Sequence, residues 1–436
     1  MEGSKYRAAI RSGHKTLLDN TANVNKQRQW LVLATLFTVM FFTLGGTINP
    51  LPVFLTPLIK QYGWSHARVS WVPTVYLLMF GLGAPVIGWL MDRFEARIVM
   101  SIGALVAVAG MACASLTHSF LPMIGAFVLI GGGAASSTVV PGQVVAANWF
   151  SDNRGLAISV TIAGAAMGGV LMPVYADYLV RHFGLSAAFL ALAAPILLIA
   201  VPLIILIIRT RPAGEIKTSV AEEVKSLPGL ELGPALRTLP FWLLAFILMA
   251  ASIGLNGSFV HLVAFLISAG FSPQHAAMVA GTEAAVAVPG FLLLGVLCDR
   301  FTGRRVLPWV LIVLAGGVLL LLGTRNSQIS SIYLVLFLLC YGLTAGVTTA
   351  VIPVVLVESL GLRRFGSISG LVGLAGTIGI AGGPLLMGLI FDFTGSYTRS
   401  FELGAACLIA AAIAALAVSP AEGVEAIPSG AAEFSH

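Results

Sequence analysis

The chain is built from long apolar blocks, most of twenty residues or more, separated by short stretches in which its charges collect. A helix needs about 20 apolar residues to cross the hydrocarbon of a bilayer. Lipid offers no partner to a bare peptide group, so such blocks must be helical, with every backbone hydrogen bond closed inside the segment. A membrane β-barrel would instead show alternating strands of about ten residues. Only 10% of the 436 residues are Asp, Glu, Lys or Arg, whereas soluble domains carry about a quarter. So few charges could not cover a soluble protein of this length. The pattern excludes an ordinary cytosolic enzyme, a nucleic-acid binder and a disordered scaffold, and it predicts an all-α integral membrane protein.

Twelve spans fit the blocks: 30–57, 69–91, 98–116, 121–147, 154–180, 185–208, 238–269, 274–297, 306–323, 330–358, 365–392 and 397–418. Of the 24 Lys and Arg residues, all but Lys60, Arg68, Arg181, Arg325 and Arg399 fall in segments that this map assigns to the cytoplasm. Such a bias places both termini inside, in a cell membrane (the inner one for a bacterium), and it agrees with an even number of spans. The net charge of +6 then belongs to loops facing anionic lipid, with no nucleic acid implied. Cys113, Cys298, Cys340 and Cys407 are scattered, without metal-ligand spacing or a disulfide framework. The expected organisation is a cytoplasmic tail over 1–29, six helices over 30–208, a solvated linker over 209–237, six helices over 238–418 and a second cytoplasmic tail over 419–436.

The two sets of six repeat each other. Gly88, Asp92, Arg93 and Phe94 recur 207 residues later as Gly295, Asp299, Arg300 and Phe301. Gly63 and Ser65 recur at the same offset as Gly270 and Ser272, with Trp64 matched by Phe271. Arg154, Ile158 and Ser159 recur 210 residues later as Arg364, Ile368 and Ser369. Three matches in nearly one register indicate two pseudo-symmetric six-helix bundles. Repeats of this kind in membranes mark secondary transporters with a midplane site between the halves.

The Gly-x-x-x-Asp-Arg element, with Arg97 in one copy and Arg304 and Arg305 in the other, resembles the signature loop of the major facilitator superfamily. The stretch from Asn148 through Arg154 and Gly164 to Gly168 is similar to the span 5 element of monocarboxylate transporters and their bacterial relatives. Gly63, Trp64 and Ser65 followed by Val69, Ser70 and Trp71, and His261, Leu262 and Val263 in span 7, fit the same branch. The resemblance covers essentially the whole chain and implies the twelve-helix facilitator fold.

Asp92 and Asp299 end helices, where a carboxylate can pair with arginines or face the positive N-terminus of a neighbouring helix. With Arg93, Arg154, Arg300 and Arg364 they form the expected cytoplasmic gate, which the resemblance implies is shut while the site faces out. Glu95 stands in the first copy where glycine is usual; the second copy keeps Gly303. Gly164 with Gly168, and Gly370, Gly373, Gly376, Gly379 and Gly382, predict close helix packing.

Among the 18 acids only Glu283 lies well within a span. It is ten residues past Pro273, about 15 Å in, and His261 is nine residues before Gly270, about 14 Å in. The two helices form a consecutive hairpin, so both groups are expected near the midplane. An intramembrane acid marks a functional site by default, and an acid with an imidazole could carry a proton through a transport cycle. The bland alternatives are a neutral acid bonded to a neighbouring helix and a satisfied interior histidine. Asn49, Tyr76, Gln143, Asn256, Tyr341, Thr344 and Thr348, together with His261 and Glu283, are the candidates for the cavity wall.

The sequence also departs from the branch it resembles. Monocarboxylate transporters typically carry an arginine in span 8, four residues before the glycine of the loop, and it binds the substrate carboxylate. Here that position is Phe291. The span 1 lysine of animal members is missing as well, with Asn49 near its place. Without a buried cation, a protonated or weakly acidic species, a zwitterion, or a neutral or cationic compound drawn to Glu283 all stay open. No HExxH, GxSxG or Walker-type sequence is present, so neither an enzyme nor an ATP-driven pump is expected. The expectation is a secondary transporter of a small organic solute, a monocarboxylate-like compound favoured, coupled to protons. It would work as a monomer in the lipid bilayer, without cofactor or metal. The alternative is proton-driven efflux of amphipathic neutral or cationic compounds.

Overall fold

The computed structural model describes residues 27–64, 66–151, 153–210, 229–325 and 330–421. Most of both expected tails and most of the linker therefore lie outside the described residues. Eleven helical stretches among those described are long and apolar enough to cross a membrane. One of them, Arg154–Ile207, runs for 54 residues and contains Gly184 at φ 82° and ψ 171°, far outside helical values. A positive φ of this kind suits glycine, which has no Cβ to clash. Gly184 turns the chain between spans 5 and 6, which brings the number of spans to twelve.

The spans are Gln27–Leu55, whose helix continues to Tyr62; His66–Arg93; Ala96–Leu116; Phe120–Trp149; the two within Arg154–Ile207; Leu239–Ser268; Pro273–Phe301; Gly303–Leu322; Ser331–Leu360; Phe365–Thr394; and Tyr397–Leu416. They carry large apolar side chains on their outer faces, such as Leu198, Trp309 and Ile413. In water such faces would aggregate; in lipid they are the solvated surface. Several interior hydroxyls are closed on their own helices: Thr35 donates to Leu31, Thr138 to Ala134, Thr161 to Ala157 and Thr377 to Gly373. Hydroxyls bonded this way need no partner from lipid.

Three spans are interrupted near mid-membrane. Span 1 passes through a π-helical turn at Met40–Leu44 and breaks over 48–50, where Pro50 has no N–H to continue the ladder. Span 4 breaks at Thr138 (φ −119°, ψ −102°). Span 10 has π-helical turns at Leu338–Gly342 and Val347–Val351, with a turn over 345–346 between them. Continuous helices were expected at all three places. Irregular backbone at membrane depth is tolerated where it is buried in protein or lines a cavity, and in transporters it marks the site.

The halves meet along two crossings, span 2 on span 11 and span 5 on span 8. Glycines allow both. Gly88 faces the backbone of Gly366, and Gly370 faces Ala84. Gly295 faces Gly155 and Ser159. The span 11 glycine stripe thus divides: Gly366 and Gly370 meet the opposite half, while Gly376 and Gly379 meet Leu248 and Met249 of span 7 in their own half. Gly164 and Gly168 pack on Phe37 and Gly45 of span 1, also within one half.

Candidate functional site

Two carboxylates tie the bundles together at one end. Asp92, at the end of span 2, accepts hydrogen bonds from the backbone N–H groups of Gly366 (3.1 Å) and Ser367 (2.9 Å) and from the Ser367 hydroxyl (2.5 Å). Asp299, at the end of span 8, accepts from Gly155 (2.7 Å) and Leu156 (2.8 Å). Each acid thereby caps the first turn of a helix in the opposite half, where free N–H groups and the helix dipole favour negative charge. Arg364 stands close enough to interact electrostatically with Asp92, and Arg154 with Asp299. The arginines of the repeated motif turn elsewhere: Arg93 lies over the Trp89 ring at 4.3 Å and Arg300 over the Phe301 ring at 5.5 Å.

A third cap was missed in the sequence. Glu358, near the end of span 10, accepts from the backbone N–H groups of Gly303 (2.7 Å) and Arg304 (3.0 Å), and lies 3.6 Å from the Arg304 guanidinium. The first half solves the same problem differently, with the Thr210 hydroxyl accepting from the Ala96 N–H at 2.8 Å. A carboxylate at the end of one span, with a glycine opening another, was the available signal. In the described part of the linker, Leu230 donates to the Leu360 carbonyl and Glu231 pairs with Arg364 at 2.9 Å. Arg364 thus stands beside the Asp92 cap and is also paired with the linker.

Inward from the caps, a cavity of about 180 Å³ lies between spans 2 and 4 of the first half and spans 7, 10 and 11 of the second. Gln143, Ser252, Thr348, Thr349, Ser369 and Thr377 supply its polar groups, and among the described residues no charged side chain lines it. Gln143 also spans the two halves, donating from Nε2 to the Thr349 carbonyl at 3.2 Å. Of the expected wall residues, Gln143 and Thr348 line this cavity.

The remaining candidates sit in the bundles around it. Tyr76 is fully buried, with its hydroxyl 2.9 Å from that of Thr47. Tyr341 donates to the Leu255 carbonyl at 2.6 Å. Thr344 donates to Cys340 within its own helix. Asn256 donates to the Ser252 carbonyl one turn earlier, and half-buried Asn49 faces Gly169 of span 5. His261 bonds through Nε2 to the Pro384 carbonyl of span 11 at 3.0 Å, with its ring 5.7 Å from that of Tyr397 in span 12.

Glu283 is 4% exposed and packs where span 8 meets span 10 near Tyr341 and Gly342. It has no hydrogen-bond or ion-pair partner among the described residues. His261 and Glu283 are therefore not joined; the imidazole turns to spans 11 and 12 and the carboxyl to span 10. Phe291, two turns further along span 8, lies against Gly346 at the break of span 10.

Twelve spans in two six-helix bundles, latched at one end by reciprocal caps and enclosing a cavity between them, define a membrane transporter of the two-bundle kind. Comparison with known proteins gives the family. The sequence matches the profile of the Major Facilitator Superfamily over residues 32–384 and 270–434, and the chain belongs to that superfamily. Monocarboxylate transporter 13 of Bos taurus is 27% identical over 387 residues, covering 87% of each chain. The agnestins efflux protein AgnL12 of Paecilomyces divaricatus is 26% identical over 362 residues, covering 81% of this chain and 79% of that protein. Among solved structures, the E. coli fucose:proton symporter FucP superimposes with a TM-score of 0.70 at 14% identity, covering 90% of this chain and 100% of that one. The chain is a multi-pass integral membrane transporter and not an enzyme.

Proposed function

We propose that this transporter moves a small organic solute, a monocarboxylate-like compound, by alternating access, with a proton carried on Glu283. The observation that carries the coupling is the burial of Glu283 without a bonding partner among the described residues. A lone carboxylate at that depth is costly and a neutral acid is not, so the group is suited to taking up a proton on one side and giving it up where water reaches it. Its helix packs on the interrupted span 10, so movement of span 10 would change its surroundings. His261, held to span 11, is the second candidate for the proton path. The solute would lie in the chamber bordered by Gln143, with Asn49 and Asn256 near its walls. The caps of Asp92 and Asp299 would close the cytoplasmic side, with both termini on that side. Support for the substrate class comes from the monocarboxylate transporter relatives.

A second reading, efflux of amphipathic neutral or cationic compounds, is favoured by two observations: among the described residues the cavity has no cationic lining residue, and a phenyl ring stands on the span 10 break. Uptake and counterflow of a panel of small acids, amines and neutral solutes in proteoliposomes, with an imposed pH gradient, separates the two. Native protein is compared with Glu283→Gln and His261→Ala. Gradient-driven flux that survives both changes would end the coupling proposal; flux confined to amines and neutral compounds would replace the substrate class.

A further inference from the structure

The outer faces of the two halves carry a matched pair of apolar grooves. One, of about 620 Å³, lies between spans 2, 3 and 4, with Leu82, Val86, Ile98 and Ile102 on its walls. Its counterpart, of about 550 Å³, lies between spans 8, 9 and 10, with Leu293, Leu297, Trp309, Val313 and Leu343 on its walls. Several of these side chains are well exposed, Trp309 at 68%. The grooves open sideways and would face acyl chains.

They differ in charge. The second groove includes Arg305 among its lining residues, at the end nearest the loop between spans 8 and 9. Among the described residues no charged residue lines the first, where Arg97 is engaged by Glu95 at 3.0 Å. In the second half Arg304 is engaged by Glu358. Arg305 is exposed and has no ion-pair partner among the described residues. From Arg305 to Val313 the groove follows two turns of span 9, about 12 Å. A cation at the membrane surface above a channel of aliphatic walls matches a lipid with an anionic headgroup and an extended chain, and basic pockets between helices recognise such headgroups.

We propose that the groove between spans 8, 9 and 10 is a binding site for an anionic phospholipid, whose phosphate pairs with Arg305 and whose acyl chain lies along Trp309, Val313 and Leu343. The first groove holds acyl chains without selecting the headgroup. Occupation would brace span 9 against span 10, one of the three interrupted spans.

Native mass spectrometry tests this on the full chain released from mixed micelles with equal amounts of phosphatidylglycerol and phosphatidylcholine of the same chain length. The native protein is expected to retain phosphatidylglycerol with roughly fivefold preference, the effect of one surface cation. Arg305→Gln should bring the ratio near unity and Arg305→Lys should restore it. Val313→Trp, which fills the groove from its exposed side, should reduce the number of lipids retained while gel filtration shows an intact monodisperse protein. An unchanged preference in Arg305→Gln, or equal retention of both lipids by the native protein, overturns the proposal.

Discussion

Glu283 holds in the second half the position that Tyr76 holds in the first, 207 residues earlier and in the register of the repeated Asp-Arg motif. Tyr76 meets the hydroxyl of Thr47 at 2.9 Å. The residue at the same offset from Thr47 is Gly254, which has no hydroxyl to offer. The duplication has thus produced a satisfied phenol in one bundle and an acid without a bonding partner, among the described residues, in the other. Asn49 and Asn256 are related by the same offset.

The repeat mates are expected to respond in opposite ways. Tyr76→Phe removes one buried hydrogen bond and should cost about 1 kcal/mol, seen as a lower Tm, with gradient-driven flux retained. Glu283→Gln should leave Tm equal or higher and abolish flux driven by a pH gradient, while exchange of solute at equal pH continues. Thermal unfolding and proteoliposome transport, run on both variants, check the contrast. Loss of driven flux in both alike would remove any special place for Glu283.

The reciprocal caps can be read through a native cysteine. Cys298 is buried and lies against Gly155 at the span 5–span 8 crossing. In a protein with Cys113, Cys340 and Cys407 changed to Ser, its labelling by maleimide reports opening of that end. Asp299→Asn keeps an acceptor oxygen but loses the charge at a helix N-terminus, worth up to about 1 kcal/mol. Labelling should rise roughly fivefold. Asp92→Asn acts at the other crossing, so the two effects should add.

The glycine crossings should be intolerant of a methyl group. A Cβ on Gly88 would run into the Gly366 carbonyl, and one on Gly295 would stand 2.7 Å from the Gly155 carbonyl oxygen. Overpacking of this kind costs about 1–3 kcal/mol. In the proposed cycle the halves part, so the cost should appear as faster Cys298 labelling in Gly88→Ala and Gly295→Ala rather than as unfolding. Gly125→Ala, with nothing within 4 Å, serves as the silent control. Equal labelling in all three would show that these crossings do not govern closure.

The two acids found only in the structure should differ in weight. Glu358 accepts two backbone N–H groups and pairs with Arg304 in a half-buried setting. Glu231 pairs with Arg364 where both side chains keep about a third of their exposure (38% and 28%), and such surface pairs contribute about 0–1 kcal/mol. Glu358→Gln is therefore expected to lower Tm more than Glu231→Gln, and added salt should erase the effect of the second before the first. Comparable shifts in the two variants would contradict this ranking.

Most of the fold could be read in advance. Span number followed from hydrophobic length, which each segment carries by itself, and the division into halves followed from motifs repeated at a fixed offset. Asp92 and Asp299 stood out in the sequence because the same Gly-x-x-x-Asp-Arg element recurs 207 residues apart. Their partners did not: arginines and helix termini were both available, and the amides of Gly366, Ser367, Gly155 and Leu156 took the bonds. The break at Thr138 had a signal in Pro141, which cannot bond back to residue 137, but the turn over 345–346 had no proline beside it, and Glu358, the last residue of the expected span 10, was given no role.

His261 and Glu283 show where the boundary falls. Counting residues along each helix placed them at similar depth, because rise per residue is a property of the helix alone. Which neighbour each one faces depends on rotation about the axis, about 100° per residue, and on how the helices cross. Those quantities are set by packing among segments far apart in sequence. The amino-acid order by itself fixed what crosses the membrane, how often, and which half repeats which. Only the tertiary structure decided that the imidazole bonds to Pro384 and that the carboxyl stands alone beside span 10.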